Sequence, residues 1–292
     1  MGITYNQLLQ VRQRTQAKKL KRPAKWLFPH NLERKYKKLL HKLTGEIRKQ
    51  INAQLKPIIP SMLSEVEATY PNQDSGQHKG TISPESGKRS DGFLDVLRGV
   101  MASIENSLKP LVNQSIIEMQ QIGNEISNFN QQQFEKVNYS VFGMDIFVDQ
   151  PWLLDQLELF SRQNAQLITS LPEQELFQVS GIVERALVEG QRFSQVSTEL
   201  QKRYGITRRR ANLIGRDQTS KLNASLTRLR QQSAGVEEYI WQTSGDERVR
   251  PTHKAHDGKK FRWDDPPADT GHPGTDINCR CVAIPVMEGI IE

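Results

Sequence analysis

The chain has 292 residues, of which 36% are hydrophobic and 25% are charged, and its formal net charge is +7. No uncharged apolar run approaches the roughly 18 residues of a membrane-spanning helix, and no apolar block follows the N-terminal charges, so we expect neither a transmembrane segment nor a secretory signal. Two cysteines are too few for a disulfide-stapled scaffold and indicate a reducing cytosol.

Residues 1–70 are predicted to form a basic helical arm. Residues 1–56 carry fifteen basic side chains against two acidic ones, a net charge of +13. Apolar residues recur at three- and four-residue steps from Leu32 to Ile47, which predicts a helix, and four prolines divide the arm into several helices. The charge favours a polyanion or an acidic partner over a merely solvated face. The predicted nucleic-acid-binding residues are Lys18, Lys19, Lys21, Arg22, Lys35, Lys37 and Lys38.

The middle of the chain is predicted to be a linker followed by helices. Residues 71–92 are rich in Gly and Ser without a hydrophobic face, which indicates a flexible linker or loop. Residues 93–150 are a helical connecting region, with a first helix that stops at Pro110 and a short extended segment at 141–148. Further helices are predicted over 153–168, 177–190 and 193–205, and another begins at Thr207; Gly190 and Gly205 are the predicted stops.

A second basic stretch lies in the last of these helices. Residues 202–230 contain nine basic side chains and one acidic one. The basic residues do not share one helix face, so a polyanion-facing surface and a solvated helix surface both stay open.

The C-terminal residues 236–292 lose helical periodicity. Strands are predicted at 239–243 and 281–286, with a loop of about 35 residues between them. A loop of that length has to be ordered by a bound metal or by arginine–carboxylate hydrogen bonds.

The metal alternative rests on borderline and soft ligands that zinc prefers. The predicted ligands are His253, His256, Cys279 and Cys281, with His272 as a substitute. The Cys-x-Cys spacing is tight, and two cysteines inside a strand would point to opposite faces. No cofactor is certain from the sequence, and zinc is the candidate; the alternative is buried thiols and hydrogen-bonded imidazoles.

The second alternative is a structural clasp, in which arginine donors tie loop carbonyls to carboxylates. The predicted clasp residues are Asp246, Arg248, Arg250, His253, Asp257 and Arg280.

An enzymatic interpretation would use the same loop. His253, His256, Asp257 and Asn278 are the residue types of a metal-dependent nuclease. Such a site also needs a following helix with metal ligands, and there is no room for it after Cys281. We therefore predict no enzyme.

Several motifs in the second half of the chain follow an order that resembles a known family. They are Arg216-Asp217-Gln218-Thr219 with Asn223, Tyr239-x-Trp241-x-Thr243, Asp246-x-Arg248-x-Arg250-x-x-His253, Asp257-Gly258-x-x-Phe261 and Asn278-Cys279-Arg280-Cys281. Over roughly residues 151–285 this pattern resembles the phage minor head proteins, the head morphogenesis family typified by the F protein of phage Mu.

The resemblance implies a structural virion component. Such a protein would associate with the portal or inner capsid and act in head morphogenesis and DNA packaging or delivery. Its partners would be the portal protein, the major capsid protein and packaged double-stranded DNA. It would reside in the phage head and, during assembly, in the host cytoplasm. The alternatives are a metal-dependent nuclease or other DNA-processing enzyme, and a sequence-independent DNA-binding scaffold without portal contact.

The predicted fold class is α+β, with mostly helical N-terminal and middle regions and a small C-terminal module of short strands and long ordered loops. The predicted domains are 1–70, 71–92, 93–150 and 151–292, with the strand-and-loop module at 236–292.

Overall fold

A computed structural model describes residues 24–69, 84–142, 146 and 148–286. Long helices make up most of this part of the chain, and a small antiparallel sheet follows them, so the predicted α+β class is confirmed. The first four residues of the predicted nucleic-acid-binding set, Lys18, Lys19, Lys21 and Arg22, lie outside the described residues. No described helix combines the length and apolarity that a bilayer crossing requires.

Within the described residues, several predicted helices are joined into longer ones; the two predicted at 153–168 and 177–190, for example, form one helix. The described helices are α1 (His30–Gln50), α2 (Ile59–Thr69), α3 (Pro84–Phe142), α4 (Leu153–Glu189), α5 (Phe193–Ser233) and the short α6 (Pro251–His256). A π-helical segment, Ile51–Leu55, follows α1 directly. The predicted linker of residues 71–92 is helical from Pro84 onwards, and its preceding part, 71–83, is not described.

Two predicted helix stops are wrong. Helix α3 continues through Pro110, which lies on its exposed side between the buried Leu108 and Val112. Helix α5 continues through Gly205, because Thr207 does not cap a new helix but donates its buried hydroxyl to Glu175 of α4. The predicted stop at Gly190 is confirmed, since that glycine follows α4 with a φ of 62°.

The extended segment predicted at 141–148 is only partly described. Residues 141–142 complete α3, residues 143–145 and 147 lie outside the described residues, and Ile146 and Val148 are buried.

The chain forms two compact units, and each of the helices α1, α3, α4 and α5 contributes one stretch to each unit. Of the described residues, 24–37, 118–142, 146, 148–164 and 213–286 belong to the first unit, and 38–69, 84–117 and 165–212 belong to the second. The predicted domain boundaries divide the chain into consecutive pieces instead, and they stay a prediction.

The second unit is built from helices alone among its described residues. Apolar residues of the predicted α1 stripe are buried there, among them Leu40, Leu43 and Ile47. Glu175 is 1% exposed, and it accepts hydrogen bonds from Arg203 at 2.9 Å and from Thr207. These two partners fix the middle of α5 in place, which explains why Gly205 does not interrupt the helix.

The first unit contains the sheet, whose strand order is β2-β1-β3. Strands β1 (Glu238–Gln242), β2 (Lys260–Arg262) and β3 (Val282–Pro285) are all antiparallel to their neighbours. The predicted strands at 239–243 and 281–286 correspond to β1 and β3. The intervening loop was predicted to lack regular structure, and this is wrong, because α6 and β2 both lie within it.

Two apolar clusters support this sheet. The buried members of the first are Trp26, Phe134, Val137, Ile146, Val148, Ala234, Val236 and Val282. The members of the second are Tyr239, Trp241, Trp263, Cys279, Cys281 and Ala283, with Phe261 packed against them. Both cysteines are therefore part of a core that is rich in aromatic side chains.

Candidate metal centre and arginine-lined cleft

One histidine and both cysteines meet at the end of the sheet in the first unit. The Nδ1 atom of His253 lies 3.4 Å from Sγ of Cys279 and 3.5 Å from Sγ of Cys281. All three residues are buried, and their ligand atoms lie within 4.8 Å of one another. We call these three residues the His–Cys cluster.

Short helix α6 presents the histidine. Pro251 stands at the start of this helix, where its missing N–H group costs no intrahelical bond. His253 lies two residues later, 2% exposed, with its ring edge-on to that of Trp241 at a centroid distance of 5.3 Å.

The two thiols converge because neither cysteine lies inside a strand. Strand β3 begins at Val282, and Asn278 adopts a φ of 62° just before Cys279. The hydroxyl of Ser220 on α5 donates to the carbonyl of Cys279 and holds this turn against the helix. The two cysteine side chains therefore do not point to opposite faces, as they would inside a strand.

The other ring nitrogen of the histidine is fixed by an acid. Nε2 of His253 lies 2.9 Å from Oδ2 of Asp276, and it must donate because a carboxylate only accepts. In a neutral imidazole this leaves Nδ1 without a proton, so it faces the thiols as a lone-pair donor.

Hydrogen bonding makes one thiol of the pair more acidic. The bond from Cys281 lowers the pKa of the Cys279 thiol below its usual value, and backbone N–H groups of Cys281 and Gly274 lower this pKa further. The pKa of Cys281 is raised, because it donates to Cys279 and is buried.

Two predicted ligands lie elsewhere. Nε2 of His256 donates to the carboxylate of Asp269 at 3.0 Å, and Nδ1 of His272 is hydrogen-bonded to the hydroxyl of Tyr239 at 3.0 Å. The structure therefore brings together three of the four predicted ligands, and neither His256 nor its substitute His272 joins the cluster.

A cleft of about 250 Å³ opens beside the His–Cys cluster. All three cluster residues line it, together with Asn278, Asp246 and four arginines. The arginines are Arg216, Arg248, Arg250 and Arg280. We call this the arginine-lined cleft; three of its arginines are paired with acids, Arg216 and Arg280 with Glu33 and Arg250 with Asp276.

Arg280 lies on one wall of the cleft and is held there by Glu33, a buried acid on α1. Its Nη2 and Nε atoms donate to the two carboxylate oxygens of Glu33 at 2.9 and 3.1 Å, and Nη1 lies 3.5 Å from Asp246. Glu33 is 2% exposed and also pairs with Lys37 at 2.5 Å. Burial raises the pKa of Glu33, but the bonds from Lys37 and Arg280 outweigh this effect and lower it overall.

The remaining predicted clasp residues bond mainly to backbone groups, and Nη1 of Arg250 also lies 3.4 Å from Oδ2 of Asp276, the carboxylate that holds His253. Arg250 donates to the carbonyl of Ile277 at 2.7 Å, and Asp257 accepts from the backbone N–H of Thr243 at 2.7 Å. Asp246 accepts from the backbone N–H of Arg248 at 3.1 Å.

Three acids and a hydroxyl of this site are not among its predicted ligand or clasp residues. They are Glu33, Asp217, Ser220 and Asp276; Asp217 accepts from the backbone N–H of Asn278 at 3.0 Å. One feature of the sequence could have pointed to Glu33, because it is one of only two acids in a strongly basic stretch. Its partner Arg280 is far away in the sequence, so nothing local linked them.

The described basic residues of the arm differ in their surroundings. Lys35 pairs with Glu125 at 2.5 Å and Lys37 with Glu33, and both Lys35 and Lys38 are exposed.

The second basic stretch is largely occupied by internal contacts. Arg203 bonds Glu175, Lys221 pairs with Asp217 at 2.8 Å, and the buried Arg230 donates to Asn130 at 2.5 Å. Much of this charge therefore stabilises the helices, and Arg208 and Arg209 are exposed.

The nuclease candidates do not share a centre. His253 faces the two thiols, while His256 and Asp257 bond to Asp269 and to the backbone of Thr243 respectively. His253 and Asn278 both line the arginine-lined cleft, but His256 and Asp257 do not, so the four side chains do not converge on one group.

Residues 178–284 match the family model described as Phage Mu protein F like protein. This segment includes the end of α4, all of α5, α6, strands β1 and β2, and β3 as far as Ile284. The predicted resemblance to the phage Mu F-like head proteins is therefore confirmed for this segment.

A protein of Haemophilus influenzae (strain Rd), described as uncharacterized, is 42% identical to this chain over 138 residues. The match covers 47% of this chain and 31% of the relative, so the chain spans about a third of the length of that protein. No solved structure matches the chain.

Proposed function

We propose that this chain is a structural protein of a phage head. The observation that carries the proposal is the family match over residues 178–284, which takes in the His–Cys cluster and all residues that line the arginine-lined cleft. The cluster and cleft residues belong to one compact unit and are held by long-range bonds, as expected of a rigid interaction module.

Within the head, we place the chain at the portal or inner capsid, acting in head morphogenesis and DNA packaging or delivery. Its partners would be the portal protein, the major capsid protein and double-stranded DNA. A net charge of +13 over residues 1–56 supports a position next to packaged DNA, because lysine and arginine bind phosphates regardless of sequence. The chain would be in the host cytoplasm until heads assemble.

The test is a comparison of phage particles with and without the gene. We expect mass spectrometry of gradient-purified heads to detect the chain in low copy number, and deletion of the gene to give heads that are misassembled or poor in DNA. Full, infectious particles that lack the chain would contradict the proposal.

The enzymatic alternative is tested separately. Plasmid DNA incubated with the purified chain and Mg²⁺ or Mn²⁺ is expected to stay intact. Cleavage that is lost in His253→Ala would favour the nuclease.

A DNA-binding scaffold without portal contact is the second alternative, supported by the basic arm alone. Co-purification of the chain with the portal protein from DNase-treated heads argues for portal association. Loss of the chain from such heads after DNase treatment argues for the scaffold.

A further inference from the structure

We propose that the His–Cys cluster binds one zinc ion through Nδ1 of His253 and the Sγ atoms of Cys279 and Cys281, with the fourth position open to the arginine-lined cleft. This site is independent of the proposed function, since it rests only on the geometry of the three side chains.

The distances between donor atoms match zinc coordination. Zinc lies about 2.0–2.1 Å from nitrogen and about 2.3 Å from sulfur in tetrahedral sites, so the nitrogen and each sulfur should be about 3.6 Å apart. The Nδ1 atom of His253 lies 3.4 and 3.5 Å from the two sulfurs. A hydrogen bond would explain one of these approaches, but the single lone pair of Nδ1 cannot serve both thiols equally. A shared cation accounts for both.

The surroundings of the donors also suit a metal. Asp276 accepts from Nε2 of His253, which directs the unprotonated Nδ1 at the site, and carboxylate–histidine pairs of this kind accompany bound zinc. Backbone N–H groups of Gly274 and Cys281 donate to Sγ of Cys279 at 3.3 and 3.4 Å, which stabilises a thiolate.

One further donor lies in the core behind the cluster. The buried indole N–H of Trp241 has no hydrogen-bond partner, and Trp241 belongs to the same apolar cluster as Cys281. A zinc-bound thiolate would be a better acceptor for this group than a neutral thiol.

The site supplies three protein ligands and leaves one position for another donor. His253, Cys279 and Cys281 all line the arginine-lined cleft, so the fourth position is accessible from there. In the isolated protein a water molecule would fill it. The metal would join α6 to the turn before β3 and so fix the cleft wall.

The first experiment measures zinc in the full-length purified chain. After incubation with excess Zn²⁺ and gel filtration, we expect about one zinc per chain for the wild type. We expect at least a tenfold lower content for His253→Asn and for the double variant Cys279→Ser/Cys281→Ser. His256→Gln is the matched control, because that histidine lies on the same helix but outside the cluster, and it should keep full zinc content.

The second experiment identifies the ligands without any variant. Replacing zinc by Co²⁺ in the wild-type chain should give the intense near-ultraviolet absorption of thiolate–cobalt bonds, at a strength that corresponds to two thiolates. A folded wild-type chain that retains less than about a tenth of a zinc per molecule would overturn the proposal. So would a cobalt spectrum without thiolate bands, or loss of zinc in His256→Gln as large as in His253→Asn.

Discussion

Glu33 shows how much a single buried residue organises the cleft. It is the acceptor for Arg280 and Lys37, and Nε of Arg216 lies 3.7 Å from it. Removing its charge leaves the nearby cations in a site from which water is mostly excluded, and an unpaired buried charge is costly.

We therefore expect Glu33→Gln to lower the free energy of unfolding by about 2 kcal/mol, less than for a fully buried pair because its partners are partly exposed. Urea denaturation at neutral pH measures this change. Glu46→Gln is the matched control, since that acid on the same helix pairs with the exposed Lys49, and it should cost less than about 0.5 kcal/mol. Equal losses in the two variants would contradict a special role for Glu33.

The lowered pKa of Glu33 also predicts an acid dependence. A carboxyl with a depressed folded-state pKa contributes stability above its unfolded pKa near 4.5, and this contribution is lost as the pH falls through the folded value. The wild type should therefore lose stability more steeply than Glu33→Gln below about pH 4.5. Thermal melts across this pH range test the difference, and parallel curves would contradict it.

Asp276 acts on the proposed metal through another side chain. Asp276→Asn removes the carboxylate that orients and polarises His253, so zinc affinity should fall about 10–100-fold. Competition with a chromophoric chelator measures the affinity. Asp269→Asn is the matched control, because it removes the same kind of bond from His256 and should leave zinc affinity unchanged. An equal loss of zinc affinity in both variants would indicate that the whole loop is loosened, and it would contradict a specific role for Asp276.

Two of the long helices contain an internal proline, a residue that local helix propensity strongly disfavours. Proline inside a helix removes a hydrogen bond and crowds the preceding turn, at a cost of about 3 kcal/mol. Pro110 in α3 is exposed, whereas Pro172 in α4 is buried. A comparison of the two prolines therefore distinguishes the backbone cost of a proline in a helix from the packing energy of its ring.

Pro110→Ala should raise the free energy of unfolding by about 1–3 kcal/mol, because no side-chain packing is lost. Pro172→Ala should gain less, since the smaller side chain leaves a void. Chemical denaturation of both variants provides the comparison. A loss of stability in Pro110→Ala would mean that the ring makes contacts that its exposed position does not suggest.

The loop before β3 packs closely on α5. Gly274 has a φ of 83°, and a Cβ atom added to it would lie 2.5 Å from Cβ of Ala224 on that helix. Gly258 has a similar φ of 76° but open space around it. Gly258→Ala should lower the free energy of unfolding by about 1 kcal/mol, because of the backbone conformation alone. Gly274→Ala should lower it by about 2–3 kcal/mol, because the loop must also move. Thermal melts measure the stability of both variants. Equal decreases in melting temperature would show that the close contact with Ala224 has no effect on stability.

The elements themselves were partly predictable from the sequence. The apolar stripe of α1, the stop at Gly190 and strands β1 and β3 follow from periodicity and glycine chemistry. The continuity of α5 does not, because it depends on Thr207 meeting Glu175 from another helix. Tertiary contacts of this kind override a local stop signal.

The candidate site was predictable as a set of residue types but not as a geometry. Histidine and cysteine spacing gave three members of the cluster, yet it also gave His256, because spacing on a short helix does not show which ring faces the core. Asp276 and Glu33 were missed, because acids are common and their histidine and arginine partners are distant in sequence.

The whole molecule combines a net charge of +7 with a strongly basic N-terminal stretch. If this stretch binds DNA, the logarithm of affinity should fall with the logarithm of salt concentration by about 0.9 for each phosphate contact. Lys18→Ala/Lys19→Ala should then reduce the slope by about 2.

The matched control removes the same charge elsewhere. Lys254 and Lys259 are exposed on the C-terminal module, and replacing both by alanine should leave the salt slope unchanged. Fluorescence anisotropy with double-stranded DNA over a range of NaCl concentrations measures the slopes. Equal reductions in the two double variants would indicate diffuse attraction by net charge instead of a defined arm.

The pairing of Glu33 with Arg280 also bears on how the chain folds while it is being made. The two residues are 247 positions apart. At a synthesis rate of about 5–20 residues per second, the acid emerges roughly 12–50 s before its arginine exists. During that interval Lys37, one turn further along α1, is the neighbour that can neutralise it. The nascent helix thus carries a counterion for Glu33 before Arg280 is made, and the cleft wall is completed only once Arg280 has been synthesised.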